Sequence, residues 1–153
     1  MKLVDVLVRD SCVFDMRART RKEALRELSE ALAAHTPEVT PAELLDLLME
    51  REKLGSTAMG DGIAIPHARF DSLERIVVGF GRSRGGVPFE SIDGQPTHLF
   101  FLLVAPKKEG SAHLLALARL SRLLGDERFR RRLLDLEGID DLIRAVEEEE
   151  SKL

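Results

Sequence analysis

The chain has 153 residues, of which 33% are charged, and a formal net charge of −4. This length suits one domain over residues 1–153, and the small negative charge excludes the overall cationic field that holds nucleic acid or an anionic membrane. Cys12 is the only cysteine, so no disulfide can form within the chain, and the longest strongly apolar run, 99–105, is too short to span a bilayer. We therefore expect a cytoplasmic protein with no membrane insertion and no nucleic-acid partner.

Two amphipathic helices are predicted in the first third of the chain. Thr20 and Glu23 have the spacing of a capping box, and apolar residues follow at helical intervals as far as Leu32. Pro41 suits the first position of the second helix, and Gly55 is a plausible stop for it.

The middle of the chain changes to short apolar runs broken by Gly, Pro, Asp and Ser, which is typical of strands and turns. The run Leu99–Ala105 is predicted to be a central strand. Helical patterns return at Gly110 or Ser111, at 127–136 and at 138–150, where the last helix is expected to fray into an acidic end. Strands interspersed with long helices favour an α/β fold, in which helices flank both faces of a buried sheet.

The segment GDGIAIPHAR, residues 60–69, places His67 directly after a proline at the end of an apolar run. Pro66 favours an extended backbone at Ile65, so the predicted strand ends at the proline and His67 lies at its mouth, where sites in α/β sheets are common. A neutral imidazole is a nucleophile near pH 7 and can form a phosphoramidate. The position also fits a solvated loop histidine.

Three other polar residues occupy unusual positions. Arg51 lies on the side of Leu44 and Leu48, where a guanidinium requires a carboxylate or a ligand phosphate unless its head reaches solvent. His113 lies on the apolar stripe in the first turn of its helix, where it can fill the core or donate to a phosphate oxygen. Asp61, between two glycines, suits a turn, and its carboxylate could also orient Arg51.

No metal and no cofactor are expected. The possible ligands show no recognisable pair at short spacing; they are Asp61, His67, His98 and His113. The basic stretch 128–134 is interrupted by Phe129 and Leu133 at helical spacing, so it predicts a solvated helix face and not a nucleic-acid surface. His35 and His98 are interpreted as structural residues.

The stretch REKLGSTAMGDGIAIPHAR, residues 51–69, resembles the signature of the phosphotransferase-system enzyme IIA family of the fructose/mannitol class. It most resembles the nitrogen-regulatory branch of that family. The similarity covers nearly the whole chain, including LVDVLVRDSCVF, PFESIDGQP and HLLALARLSRLL. The resemblance implies a single-domain IIA fold with a mixed β-sheet between helices, and phosphoryl transfer from protein to protein.

The resemblance also implies roles for individual residues. His67 would accept a phosphoryl group, on Nε2, from the phosphohistidine of the carrier protein HPr or its nitrogen-branch counterpart. Phosphoenolpyruvate and enzyme I would stand upstream. Arg51 would bind the phosphoryl oxygens, and His113 would be a supporting donor.

Other site positions match the family less closely. Asp61 stands where mannitol members have an acidic site residue and nitrogen-branch members often have Asn. Ser56 and Thr57 match a segment that would bind or orient the phosphate. Ala68 replaces a Gly that many members have.

Three functions remain compatible with these residues. A regulatory IIA would bind target proteins according to its phosphorylation state, whereas a sugar-transport IIA would pass phosphate to a cysteine of a IIB domain. No IIB-like segment lies within these residues, which favours the regulatory role. A small hydrolase using His67 and His113 would lack a convincing Ser, Cys or metal partner.

Overall fold

A five-stranded mixed β-sheet forms the middle of the computed structural model, which describes residues 2–108 and 110–153. The strands are β1 Ala58–Gly60, β2 Ile63–Ala64, β3 His67–Phe70, β4 Val77–Val87 and β5 Thr97–Pro106. Strand β5 is central: β4 pairs with it antiparallel, and β2 and β3 pair with it parallel. Strand β1 pairs antiparallel with β2. The predicted central strand is confirmed.

Helices cover both faces of this sheet, as predicted. The α-helices are α1 Leu3–Val6, α2 Arg21–Ala34, α3 Pro41–Lys53, α4 Gly110–Leu124, α5 Glu127–Leu134 and α6 Ile139–Glu150. Residues of α2 and α3 share one apolar core with Phe100 and Leu102 of β5, while the other four helices share a second core with Phe101 and Leu103. None of the helices in the described part of the chain is long and apolar enough to cross a membrane.

The ends of the first long helices follow from local chemistry. The Thr20 hydroxyl accepts a hydrogen bond of 3.1 Å from the Glu23 backbone N–H, which confirms the predicted N-cap of α2. Helix α3 begins at Pro41, also as predicted, and ends just before Gly55, whose φ of 141° disfavours other residues.

Strands β2 and β3 are two parts of one extended segment that is interrupted at Ile65 and Pro66. Strand β3 resumes pairing at His67, opposite Leu103, and the Leu103 N–H donates to the Pro66 carbonyl at 2.9 Å. Proline breaks the ladder because it has no N–H to donate. The predicted strand thus ends before Pro66, but His67 is the first residue of a further strand and does not lie in a loop.

The acidic end of α6 is not frayed at Glu150, contrary to the sequence-based expectation. The Glu150 side chain is buried and accepts hydrogen bonds from the backbone N–H groups of Leu3, at 2.8 Å, and Val4, at 3.2 Å. Arg119 of α4 donates to the same carboxylate at 2.7 Å. Burial of a carboxylate is tolerated here because its oxygens are satisfied.

Candidate active site

The imidazole of His67 is held by the backbone immediately before it. Its Nδ1 lies 2.7 Å from the carbonyl oxygen of Ile65. A carbonyl oxygen can only accept a hydrogen bond, so Nδ1 carries the proton and Nε2 carries the lone pair. Pro66 favours the extended backbone at Ile65. This segment therefore selects one tautomer of a part-exposed histidine.

Arg51, in the last turn of α3, contacts the other side of the ring. Its Nε donates to Nε2 of His67 at 3.3 Å, and one terminal nitrogen donates to the Gly55 carbonyl at 2.9 Å. The helical spacing predicted that this side chain points toward the core. In the structure it is partly exposed and stays outside the core. The neighbouring Glu52 is buried instead. The guanidinium is thus bound to the nitrogen of the imidazole that carries the lone pair.

His113 lies across from His67 in the first turn of α4. The two ring centroids are 5.3 Å apart, with planes at 83°. The residue is only 5% exposed, and its Nδ1 has no hydrogen-bond partner among the described residues. A neutral ring here can donate one hydrogen bond to a group that enters between the two histidines.

Burial makes both histidines poor bases. Burial lowers the pKa of His67 from its usual 6.5, and the Arg51 guanidinium lowers it further, while the hydrogen bond to Ile65 and the charge of Glu52 raise it. Burial lowers the pKa of His113 to about 4, with smaller contributions from His67 and Arg69. Both rings are therefore neutral near pH 7, as a nitrogen nucleophile requires.

The two histidines line an open pocket of about 610 Å³. Its charged residues are Glu50, Arg51, Arg69 and Lys107. Its apolar residues include Leu54 and Leu114, which are 84% and 63% exposed. Cations thus outnumber acids in this pocket. Within residues 2–108 and 110–153, no group of three or more His, Cys, Asp or Glu side chains could hold a metal ion.

Arg69 is a pocket residue that the sequence reasoning missed. It follows His67 by two positions in β3, so the two side chains leave the strand on the same face. Ala68 points to the opposite face, where it joins the core under α2 and α3. A hypothetical Cβ on Gly110 would lie 3.5 Å from the Arg69 guanidinium, which places that group at the start of α4. The period of two in a strand was the signal that could have found it.

The structure does not bring Asp61 to Arg51. Asp61 is an exposed turn residue with a φ of 56°, and its backbone N–H donates to the Asp93 carboxylate at 3.1 Å. It lines a different pocket, together with His98 and Arg131. Its backbone thus follows the turn interpretation, and it is not among the residues that surround His67.

Ser56 and Thr57 do not line the pocket, but they fix the loop between α3 and β1. The Ser56 hydroxyl donates to the Phe89 carbonyl and accepts from the Ala58 N–H at 3.1 Å. The backbone N–H and the hydroxyl of Thr57 both donate to the buried carboxylate of Glu52. Their hydrogen bonds hold this loop against Phe89 and Glu52.

The fold agrees with comparisons to known proteins. A sequence model of the family "Phosphoenolpyruvate-dependent sugar phosphotransferase system, EIIA 2" matches residues 6–149. The chain belongs to this family. It is accordingly a phosphotransferase component that carries a phosphoryl group on a histidine.

Individual relatives include both regulatory and sugar-specific IIA proteins. The nitrogen regulatory protein of Bradyrhizobium diazoefficiens is 41% identical over 133 residues, which cover 87% of this chain and 86% of that protein. The crystal structure of the nitrogen regulatory protein IIA-Ntr from Neisseria meningitidis matches with a TM-score of 0.87 and 29% identity, over 94% of this chain and 97% of that one.

A third match is the mannitol enzyme IIA in its complex with phosphorylated mannitol enzyme IIB from Escherichia coli. Its TM-score is 0.77 at 25% identity, and the match covers 91% of this chain and 95% of that one. The fold is thus shared by regulatory and transport members of the family.

We expect both histidines of the candidate site to titrate below the usual histidine range. The ring of His113 should remain neutral until about pH 4, and that of His67 should gain its proton below pH 6.5, because burial penalises the charged forms. Proton–carbon NMR of the ring signals, followed from pH 8 to pH 4, measures both values. Titration of either ring at or above pH 6.5 would contradict this arrangement.

The His67→Asn and His113→Gln variants assign these signals. They also test the effect on stability. Because the folded pKa of His113 is depressed, the unfolded chain binds more protons below about pH 6.5, and the free energy of unfolding falls as the pH drops from 6.5 towards about 4. In urea unfolding, His113→Gln should show a smaller fall than the wild type.

Proposed function

We propose that Nε2 of His67 accepts the phosphoryl group from the phosphohistidine of an HPr-like carrier protein, and that the chain acts as a regulatory IIA in the cytoplasm. One observation supports His67 above all: its Nδ1 proton is engaged by the Ile65 carbonyl, so Nε2 carries the lone pair and lies in a cationic pocket, where it accepts from Arg51. Residues 1–153 would act together as one domain.

The transfer balances without a change in the number of protons bound by His67. The lone pair of Nε2 attacks phosphorus as the P–N bond of the carrier breaks, and the carrier histidine leaves with the electron pair of that bond. The proton on Nδ1 stays in its hydrogen bond to Ile65 throughout. Arg51 must release Nε2 as phosphorus arrives, which leaves its guanidinium beside the phosphoryl oxygens.

The surrounding groups favour the transferred charge. Phosphoryl transfer depends mainly on alignment and on stabilising negative charge spread over three equatorial oxygens. Arg51 supplies a forked donor, and His113 can supply a neutral one from inside the pocket. Arg69 adds a positive charge near the positive end of α4, which also attracts anions.

The rim of the pocket suits a protein partner. Leu54 at the end of α3 and Leu114 on α4 are exposed large apolar residues that line the same pocket as His67. Exposed apolar side chains grouped around a site are typical of protein interaction surfaces. A carrier that presents its phosphohistidine from an apolar surface would fit this rim.

The regulatory role is supported by the similarity to nitrogen regulatory proteins in both sequence and structure. The alternative is a transport IIA that passes phosphate to a IIB cysteine. The similarity to mannitol enzyme IIA, which forms a complex with IIB, supports this alternative. The two roles share the chemistry at His67 and differ in the acceptor.

Incubation with phosphoenolpyruvate, enzyme I and HPr or its nitrogen-branch counterpart should add one acid-labile phosphoryl group to the wild type. Intact-mass spectrometry should show no such gain for His67→Ala, because the nucleophile is absent. His35→Ala is the matched control, since His35 is exposed at the end of α2 and lies outside the pocket. Equal phosphorylation of His67→Ala and the wild type would refute the assignment.

Arg51→Lys should slow phosphoryl acceptance about a hundredfold, as expected for loss of one stabilising donor. Lysine keeps the charge but cannot contact His67 and Gly55 with one planar fork. Quenched-flow measurement of the initial rate, with Lys53→Ala as the control on the same helix, gives the comparison. A rate equal to the wild type would exclude a forked contact with the phosphoryl group.

The phosphorylated chain should keep its phosphoryl group when it is mixed with the cytoplasmic IIB domain of a fructose or mannitol transporter. A regulatory protein has no need of a surface that docks IIB, so the decay rate should equal that without IIB. Mannitol IIA provides the positive control. Transfer to a IIB cysteine, detected by mass spectrometry, would favour the transport role instead.

A further inference from the structure

Glu52 is a buried acidic residue that has no part in the proposed phosphoryl transfer. Its side chain is 1% exposed, in the last turn of α3. Burial of a carboxylate is costly, and the negative end of a helix adds to that cost. The nearest cation is Arg21 of α2, whose guanidinium is 3.8 Å from Glu52 and shared with Glu90 at 3.1 Å. Such a distant, shared cation compensates the charge poorly.

The main partner of Glu52 is Thr57. The Thr57 N–H donates to one carboxylate oxygen at 3.0 Å, and the Thr57 hydroxyl donates to the other. Both oxygens are thus used to hold one residue of the loop that follows α3. Thr57 is itself buried, at 7% exposure, so these bonds are shielded from water.

A chain of hydrogen bonds leads from Thr57 to His67. The Ile65 N–H donates to the Thr57 carbonyl at 3.1 Å, and His67 Nδ1 donates to the Ile65 carbonyl at 2.7 Å. Ile65 has no regular pairing with β5, since it lies in the break between β2 and β3. The bond to Thr57 therefore holds Ile65 at its N–H, while the Leu103 N–H holds the next residue, Pro66, at its carbonyl.

We propose that Glu52 is a positioning residue for His67: by holding Thr57, it fixes the Ile65 carbonyl and thereby keeps the proton on Nδ1 and the lone pair on Nε2. This inference rests on the proposed role of His67 as acceptor. Two consecutive residues of α3 then control the two ring nitrogens. Arg51 contacts Nε2 directly, and Glu52 acts on Nδ1 through Thr57 and Ile65.

The test compares Glu52→Leu with Glu52→Gln in the full chain. Leucine fills much of the same space but offers Thr57 no acceptor. Glutamine keeps one acceptor for the Thr57 N–H, and its amide can donate to the Thr57 hydroxyl. Glu43→Leu is the matched control, because Glu43 is an exposed acidic residue in the first turn of the same helix.

The first measurement is nitrogen-15 NMR of the His67 ring, which distinguishes the two tautomers in the folded protein. The wild type, Glu43→Leu and Glu52→Gln should show a protonated Nδ1 and a bare Nε2, whereas Glu52→Leu should show a mixture. A purely structural role would change the unfolding midpoint in urea but not this ring signature. An unchanged signature in folded Glu52→Leu overturns the proposal.

The second measurement is the initial rate of phosphoryl acceptance from the phosphorylated carrier. We expect Glu52→Leu to lose about tenfold to a hundredfold, the range for loss of an outer group that orients a histidine. Glu52→Gln should stay near the wild-type rate. A wild-type rate for folded Glu52→Leu overturns the proposal. If the wild type itself accepts no phosphate, the proposed function fails, and the ring signature alone decides the role of Glu52.

Glu52→Asp provides the test if Glu52→Leu does not fold. Aspartate keeps the charge but is one methylene shorter, so it cannot reach both donors of Thr57 from the same helix position. The proposal requires a mixed tautomer and a reduced rate for this variant. A wild-type ring signature and rate in Glu52→Asp would show that charge alone matters, and would overturn the positioning role.

Discussion

A strand whose two faces are both buried can be accommodated only if its backbone groups find partners along both edges, because water cannot reach them. Strand β5 meets this condition with β4 on one edge and with β2 and β3 on the other. Its register fixes His67 opposite Leu103, even though Pro66 interrupts the neighbouring strand. The position of the His67 imidazole is therefore set by a strand more than thirty residues away in sequence.

The Ile65 carbonyl can serve the site because it faces away from β5. The Leu103 N–H of β5 donates to the Pro66 carbonyl, whereas the groups of Ile65 face the opposite edge. There the Ile65 N–H donates to the Thr57 carbonyl, and the Thr57 N–H donates to Glu52. The Ile65 carbonyl accepts the Nδ1 proton of His67. The ring is thus restrained at Nδ1 and remains part-exposed. That combination suits a nucleophile that must be reached by another protein.

Helices and the central strand could be predicted from sequence because their signals are local. Thr20 caps the N-terminus of α2 with its side chain, and the ring of Pro41 favours the first position of α3. The apolar composition of β5 is sufficient to predict a buried strand. The continuation of the sheet beyond Pro66 could not be predicted in this way. It depends on pairing with β5, whereas the local effect of a proline indicates the end of a strand.

The candidate site shows the same limit. The sequence indicates His67 and His113 as candidate residues, and their ring centroids lie 5.3 Å apart, whereas Asp61, indicated on similar grounds, lines another pocket. Helical spacing puts both Arg51 and Glu52 close to the stripe of Leu44 and Leu48. Which of the two is buried depends on Thr57, whose donors meet only Glu52. Burial of Glu52 and not Arg51 depends on how the loop after α3 packs against that helix, and helical periodicity carries no information about that packing.

The contact between Glu150 and the first helix has a consequence for the order of folding. The N–H groups of Leu3 and Val4 have their acceptor 147 and 146 residues away. Since a chain is synthesised from its N-terminus, these hydrogen bonds can form only after Glu150 has been synthesised. Helix α1 would then be among the last elements to reach its final position during translation, after the segment that contains His67 has left the ribosome.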